Sequence, residues 1–170
     1  MGKEIERKFL VSFLPEDMGG TTMIQGYLQP EKERAVRVRT IQKDGSKKGV
    51  LTIKGIGSES GMSRYEFETE IPVPDADHLL SLCDKPLIEK TRYKYDYEDL
   101  TWEIDEFHGV NDGLVVAEVE LESEDQQFEK PNFIGEEVTG QVKYYNMMLL
   151  KNPYTTWGEI DLIDGFWGKG

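Results

Sequence analysis

Apolar and polar positions alternate with a period of two along most of this chain, the signature of strands that bury one face. Eight such runs are legible, at residues 4–11, 23–28, 35–41, 50–54, 63–71, 87–95, 100–107 and 114–122. They are rich in β-branched and aromatic residues and are bounded by Gly, Pro, Asp and Asn. Asp44-Gly45, between the third and fourth runs, is a hairpin-turn signal. The run GIGSESG at 55–61 reads as a flexible connection. Helical signals are fewer. Pro74 and Asp75 open a segment in which Leu79, Leu80 and Leu82 share a buried side, with Asp75 as N-cap. Ser123 and Gln126 have capping-box spacing before Phe128. A third helix is expected over 141–150, ended by Pro153. Eight strands with few helices predict a closed antiparallel barrel or a sandwich.

The polar faces of these strands are unusual. In the first run Ile5, Phe9 and Val11 share a face with Arg7, and Glu4, Glu6 and Lys8 take the other. Arg37 and Arg39 stand opposite Val36 and Val38; Lys54 and Thr52 stand opposite Leu51 and Ile53. Arg64, Glu66, Glu68 and Glu70 oppose Tyr65 and Phe67, and Lys90, Arg92 and Lys94 share a face with Ile88. Glu103 and Asp105 oppose Trp102 and Ile104; Glu118, Glu120 and Glu122 oppose Val115, Ala117, Val119 and Leu121.

A charged face is ordinarily a wet outer surface. Here the signs are segregated: Arg37, Arg39, Lys54, Lys90 and Arg92 come from cationic strand faces, and Glu103, Asp105, Glu118 and Glu120 from anionic ones. The alternative is therefore a barrel whose charged faces point inward and line a tunnel, while the apolar faces pack outward against helices. A barrel of about eight strands encloses one small ligand. Carboxylates from several strands suit Mg²⁺ or Mn²⁺, and an opposing wall of Arg and Lys suits phosphate oxygens. Together they are the equipment of metal-assisted phosphoryl transfer.

Composition narrows the partners. The chain has 170 residues, 20 Lys+Arg against 33 Asp+Glu, and a net charge of −13. Such a chain is repelled by nucleic acid and anionic membranes unless its cations are gathered in one place. No apolar run approaches the length of a membrane span, the N-terminus has no secretory pattern, and Glu6 breaks the myristoylation pattern. One cysteine, Cys83, allows no intrachain disulfide. A cytoplasmic protein is the expectation, with no nucleic acid or membrane partner; the oligomeric state is open, a homodimer included.

Nine segments in order then resemble a known family. They are Glu4-Ile5-Glu6-Arg7-Lys8 (an ExExK motif), QGYL at 25–28, RVR at 37–39, LTIKG at 51–55, RYEFE at 64–68, EKTRY at 89–93, WEIDEF at 102–107, VAEVELE at 116–122 and GEEVT at 135–139. The chain is similar to the CYTH superfamily, the triphosphate tunnel metalloenzymes, over residues 4 to about 150. The resemblance implies a mainly β (α+β) fold, a closed eight-stranded antiparallel β-barrel with a few flanking helices. It divides the chain into a tunnel domain at 1–153 and a C-terminal tail of unknown role at 154–170. It implies metal ligation, by Mg²⁺ or Mn²⁺, at Glu4, Glu6, Asp105, Glu118 and Glu120. It implies phosphate binding by Lys8, Arg37, Arg39, Lys54, Lys90 and Arg92, and a basic residue against the substrate at Lys143. Tyr27 corresponds to a tyrosine near the attacked phosphate, and Lys54 and Tyr27 are the candidates to tune proton transfer. Glu66 and Glu68 fit the pattern as residues that order the cations.

The remaining candidates read as structural. His78 and His108 are surface or packing residues, Cys83 is a small core residue, and GIGSESG lacks the ending and setting of a P-loop. Lys43, Lys47 and Lys48 flank a turn and read as solvated. The expected activity is hydrolysis of a triphosphate, inorganic triphosphate first. An adenylyl cyclase, a thiamine or nucleoside triphosphatase and a non-enzymatic polyphosphate- or nucleotide-binding module are the alternatives.

Overall fold

The computed structural model describes residues 3–15, 19–57 and 62–157. Eight strands follow the alternating runs: β1 (Lys3–Val11), β2 (Gly20–Gln29), β3 (Ala35–Lys43), β4 (Ser46–Gly57), β5 (Ser63–Ile71), β6 (Ile88–Tyr97), β7 (Leu100–Phe107) and β8 (Val115–Glu120). They pair antiparallel in the order β5-β4-β3-β2-β6-β7-β8-β1, and β1 pairs back onto β5, which closes the barrel. The ring removes every free edge among these eight strands.

A ninth strand, β9 (Ile134–Glu137), has no counterpart in the alternation, because four residues are too few to display it. Strand β1 gives one edge to β8 and divides the other between β5, paired at Lys3–Ile5, and β9, paired at Phe9 and Val11. Asp44 and Gly45 both have positive φ, as a two-residue hairpin turn requires. Glu98 and Asp99 do the same between β6 and β7. Of the run 55–61, residues 55–57 extend β4, and 58–61 lie outside the described residues.

Helix α1 (Val73–Ser81) starts after Pro72, with Asp75 in its first turn rather than at its cap. It sets Ala76 and Leu80 against Val38, with Leu51, Ile71, Leu79 and Leu87 around them. A Cβ on Gly49 would lie 2.5 Å from that of Ala76, so the strand meets the helix only because residue 49 is glycine. Leu82 falls beyond the last turn and is 62% exposed, against the expectation that it shares the buried side. The expected capping box at Ser123 is a turn instead: Gln126 accepts the Glu122 N–H, and the Ser123 hydroxyl bonds Asp125. The expected helix over 141–150 is split. A single 3-10 turn (Val142–Tyr144) is followed by extended Tyr145 and the short helix α2 (Asn146–Lys151).

Much of the apolar packing lies outside the ring. Phe9, Trp102, Ile104, Ala117 and Val119, on the outer faces of β1, β7 and β8, are covered by Leu121, Phe128 and Phe133 of the following segment. At one end of the barrel Ile88, Phe107, Leu114 and Val116 pack with Val138, Tyr144 and Leu149. Helices do not cover the whole outer wall, as the sequence suggested. Ile53, Tyr65 and Phe67 on β4 and β5 stay exposed, because α1 reaches only the Leu51 end of that wall. Of the segment read as a tail, Tyr154–Trp157 docks on the body: Tyr154 N–H bonds Asn111 and Trp157 packs on Tyr144. Residues 158–170 lie outside the described residues. No described helix is long and apolar enough to cross a membrane.

Candidate active site

Side chains of one parity on each strand point into the ring and line a cavity of about 810 Å³. Its lining includes nine of the residues singled out by sequence: Glu4, Glu6, Glu118 and Glu120 on one side, and Arg37, Arg39, Lys54, Lys90 and Arg92 on the other. Register places them in rows. Glu6 pairs with Glu120, Glu118 with both Lys8 and Glu103, and Lys54 with Glu66. The same parity rule carries Glu66, Glu68 and Glu103 into the lining.

Charge compensation is close but incomplete. Lys90 is 1% exposed and donates to Asp105 at 2.7 Å; Arg92 grips both oxygens of the same carboxylate at 2.7 and 2.9 Å. Both Asp105 oxygens are thereby used. Burial alone would raise its pKa, but Arg92 and Lys90 drive it far below the carboxylate range. Arg92 also reaches Glu103 at 3.2 Å. Arg39 has a neutral partner, the Gln25 amide oxygen at 2.8 Å; burial and the nearby Arg37 and Arg92 bring its pKa down to about 9. Arg37 donates to Thr52, which in turn donates to Glu68, and its buried Nε has no partner. Burial pushes Lys90 well below the usual lysine value despite Asp105, with Arg92 and Arg39 adding to the effect.

The carboxylates are crowded. Burial raises the Glu6 pKa well above normal, and Glu118 and Glu4 raise it further. Glu66 rises to about 7, through burial and the charge of Glu4 beside it. Glu4 is buried too, yet Lys54 at 3.4 Å and a hydrogen bond with Glu66 hold it below its ordinary value. Its Oε1 has no hydrogen-bond partner. Glu118 lies near 2, where Lys8 and Arg92 overcome its burial. No three described His, Cys, Asp or Glu groups are close enough to enclose an ion as they stand. The donor set nevertheless suits a hard divalent cation: several carboxylates crowd together, and Glu118 and Glu4 add to the rise at Glu6, a congestion that a cation relieves.

Four sequence candidates stand elsewhere. Lys8 is at the packed end of the barrel, 3.2 Å from the Tyr144 carbonyl and 3.5 Å from Glu118. Tyr27 faces Arg37 across the β2–β3 pair but does not line the cavity. Asp105 is sealed behind Lys90 and Arg92. Lys143 is exposed and lies over the Tyr144 and Trp157 rings, because the 3-10 turn directs it outward rather than toward the cavity. In its place α2 sends Asn146 into the cavity, where its side-chain oxygen accepts from Lys90 at 3.2 Å and Gln25 at 3.4 Å. Sequence reading gave no site role to Gln25, Asn146 or Lys94, and it read Lys43 and Lys48 as solvated; both are exposed and also line the cavity. Strand parity alone would have found all but Asn146.

The model of the CYTH domain matches residues 2–146. The chain belongs to the CYTH family. This CYTH chain is 49% identical over 162 residues to an inorganic triphosphatase of Acetivibrio thermocellus, covering 94% of this chain and 100% of that one. It is 36% identical over 151 residues to an inorganic triphosphatase of Nitrosomonas europaea, covering 86% and 95%. A solved inorganic triphosphatase structure superimposes with a TM-score of 0.60 at 36% identity, over 86% of this chain and 97% of that one. The match to the CYTH domain spans every lining residue named here, from Glu4 to Asn146.

Proposed function

We propose that this protein hydrolyses the terminal phosphoanhydride of a triphosphate, inorganic triphosphate before ATP, releasing phosphate and leaving diphosphate. The observation that carries the proposal is the cavity inside the closed barrel, with a cationic wall and a carboxylate wall, in a chain that aligns along almost its whole length with inorganic triphosphatases. Arg37, Arg39, Lys54, Lys90 and Arg92 bind the phosphoryl oxygens. Arg39, whose side-chain partner is the neutral Gln25 amide and whose pKa burial and the nearby Arg37 and Arg92 lower to about 9, is a charge that the anionic substrate complements. As charge spreads over the transferred group, these fixed cations stabilise it without reorganising. Asp105 holds Lys90 and Arg92 in place rather than ligating metal, since both its oxygens are engaged. Lys8 steadies Glu118 and the turn before α2.

Glu4, Glu6, Glu118 and Glu120 would hold Mg²⁺ or Mn²⁺, the metal dependence that goes with the family. When bound, the ion supplies charge neutralisation and a more acidic water. Lys54, 3.4 Å from Glu4, is assigned to proton handling; Tyr27, outside the cavity lining, is not. The working unit spans residues 1–153 and acts in the cytoplasm. Among the named lining residues Met23 and Ile41 are the apolar ones, too little to hold a purine firmly in line, which favours hydrolysis over cyclisation. The test is incubation with inorganic triphosphate and with ATP at matched concentrations in Mg²⁺. Faster phosphate release from inorganic triphosphate and no cyclic AMP are expected. Cyclic AMP as the main product from ATP would overturn the assignment.

A further inference from the structure

We infer that Lys43, Lys48 and Lys94 form an electrostatic funnel that guides the anionic substrate into the tunnel at one end. The inference rests on the triphosphatase reading and adds the route and the residues that serve it. The three lysines come from the end of β3, the start of β4 and the second half of β6, and each has inward parity. All three line the cavity and are exposed. They make no ion pair among the described residues, whereas Lys47, between them on the same hairpin, points away and pairs with Asp77 at 3.4 Å. Gly19 and Thr21, at the start of β2 between β3 and β6, complete that part of the rim.

The other end is closed. Asn146 of α2 is tied to Lys90 and Gln25, and Lys8 to the Tyr144 carbonyl, over the apolar cluster of Ile88, Phe107 and Leu149. Access is therefore from the lysine end. A chain of net charge −13 repels a polyanion at long range. Part-exposed Glu68 and Glu103, with Glu120, also line the cavity, so the approach is divided by sign. Three unpaired cations on the β3, β4 and β6 side draw the anion toward Arg39, Lys90 and Arg92 and away from the carboxylates. Charge lining a cleft with low-dielectric walls raises association rates about 10- to 1,000-fold, and the effect falls steeply with salt.

The test compares wild type, the triple variant K43Q/K48Q/K94Q, the single variant Lys94→Gln and the control Lys47→Gln, using inorganic triphosphate and Mg²⁺. At about 0.01 M ionic strength, where charges act over about 30 Å, the triple variant should lose about tenfold in kcat/KM while kcat stays within about twofold. Lys94→Gln should lose a smaller share, and Lys47→Gln nothing. Near 1 M, where the screening length falls to about 3 Å, the curves should converge. Equal kcat/KM for triple variant and wild type at low salt would overturn the funnel, as would a loss that persists at high salt or falls on kcat, since either means direct contact. A wild type that neither binds nor hydrolyses triphosphate would overturn the functional assignment and the funnel together; an active wild type with indifferent variants overturns the funnel alone.

Discussion

Replacing Asp105 with Asn removes one negative charge from the most tightly closed part of the tunnel and leaves the shape nearly unchanged. Lys90 and Arg92 then face each other with their shared counter-ion gone, and Lys90 is only 1% exposed. Breaking one partner out of a buried ion pair costs about 3–5 kcal/mol. In a chain of this size about 1 kcal/mol moves the Tm by about 2–4 °C, so the variant should melt about 6–20 °C below wild type. The remaining excess of positive charge should make the variant more responsive to anions. Triphosphate should therefore raise its Tm by more than it raises that of wild type, and part of the deficit should return. Lys90→Met in the same background should also recover stability, because it removes the charge that Asp105 balances. The assay is differential scanning calorimetry of the wild type and the two variants in chelator, with and without inorganic triphosphate. An Asp105→Asn protein that melts within 2 °C of wild type, or an equal triphosphate shift in both, would refute the reasoning.

Arg39→Gln should lower kcat/KM by about tenfold to a hundredfold, the worth of one lost charge-assisted contact at about 1.5–3 kcal/mol, while the surface variant Lys47→Gln leaves it unchanged. Steady-state phosphate release distinguishes them. Glu120→Gln should abolish Mg²⁺-dependent turnover while the far-ultraviolet circular dichroism of the fold survives, and Mg²⁺ titration should show weaker activation in any residual activity. Glu66 has a folded pKa of about 7, above its unfolded value, so its proton stabilises the fold below about pH 4.5 and that contribution is lost as pH rises toward 7. Glu66→Gln, measured by thermal melts in chelator, should thus gain stability over wild type at pH 8 and not at pH 5; the reverse order would contradict the carboxylate crowding. Glu4, whose pKa is lowered, acts in the opposite sense, its contribution being lost only as pH falls below its unfolded value.

The alternation of side chains determined a great deal here, because strand parity is a local property of extended chain, interrupted only at a register shift such as that between Lys54 and Gly57. The eight strands, the segregation of cations from carboxylates and the grouping of Arg37, Arg39, Lys54, Lys90, Arg92, Glu4, Glu6, Glu118 and Glu120 on the charged strand faces follow from it; closure of the ring decided that those faces turn inward. What parity cannot say is how far along the barrel axis a side chain sits, because that depends on register and shear between strands distant in sequence. Only the folded ring therefore decided that Asp105 is sealed between Lys90 and Arg92, that Lys43, Lys48 and Lys94 stand at the open mouth, and that Tyr27 falls outside the cavity lining. Short irregular pieces were beyond reach for a related reason. Strand β9 and the 3-10 turn at Val142–Tyr144 hold too few residues to show a period, and long-range contacts fix them: β9 against β1, and Tyr144 against the Ile88 and Phe107 cluster. Those contacts turn Lys143 outward onto Trp157 and bring Asn146 inward onto Lys90, a choice made by packing at the closed end and written in no local pattern.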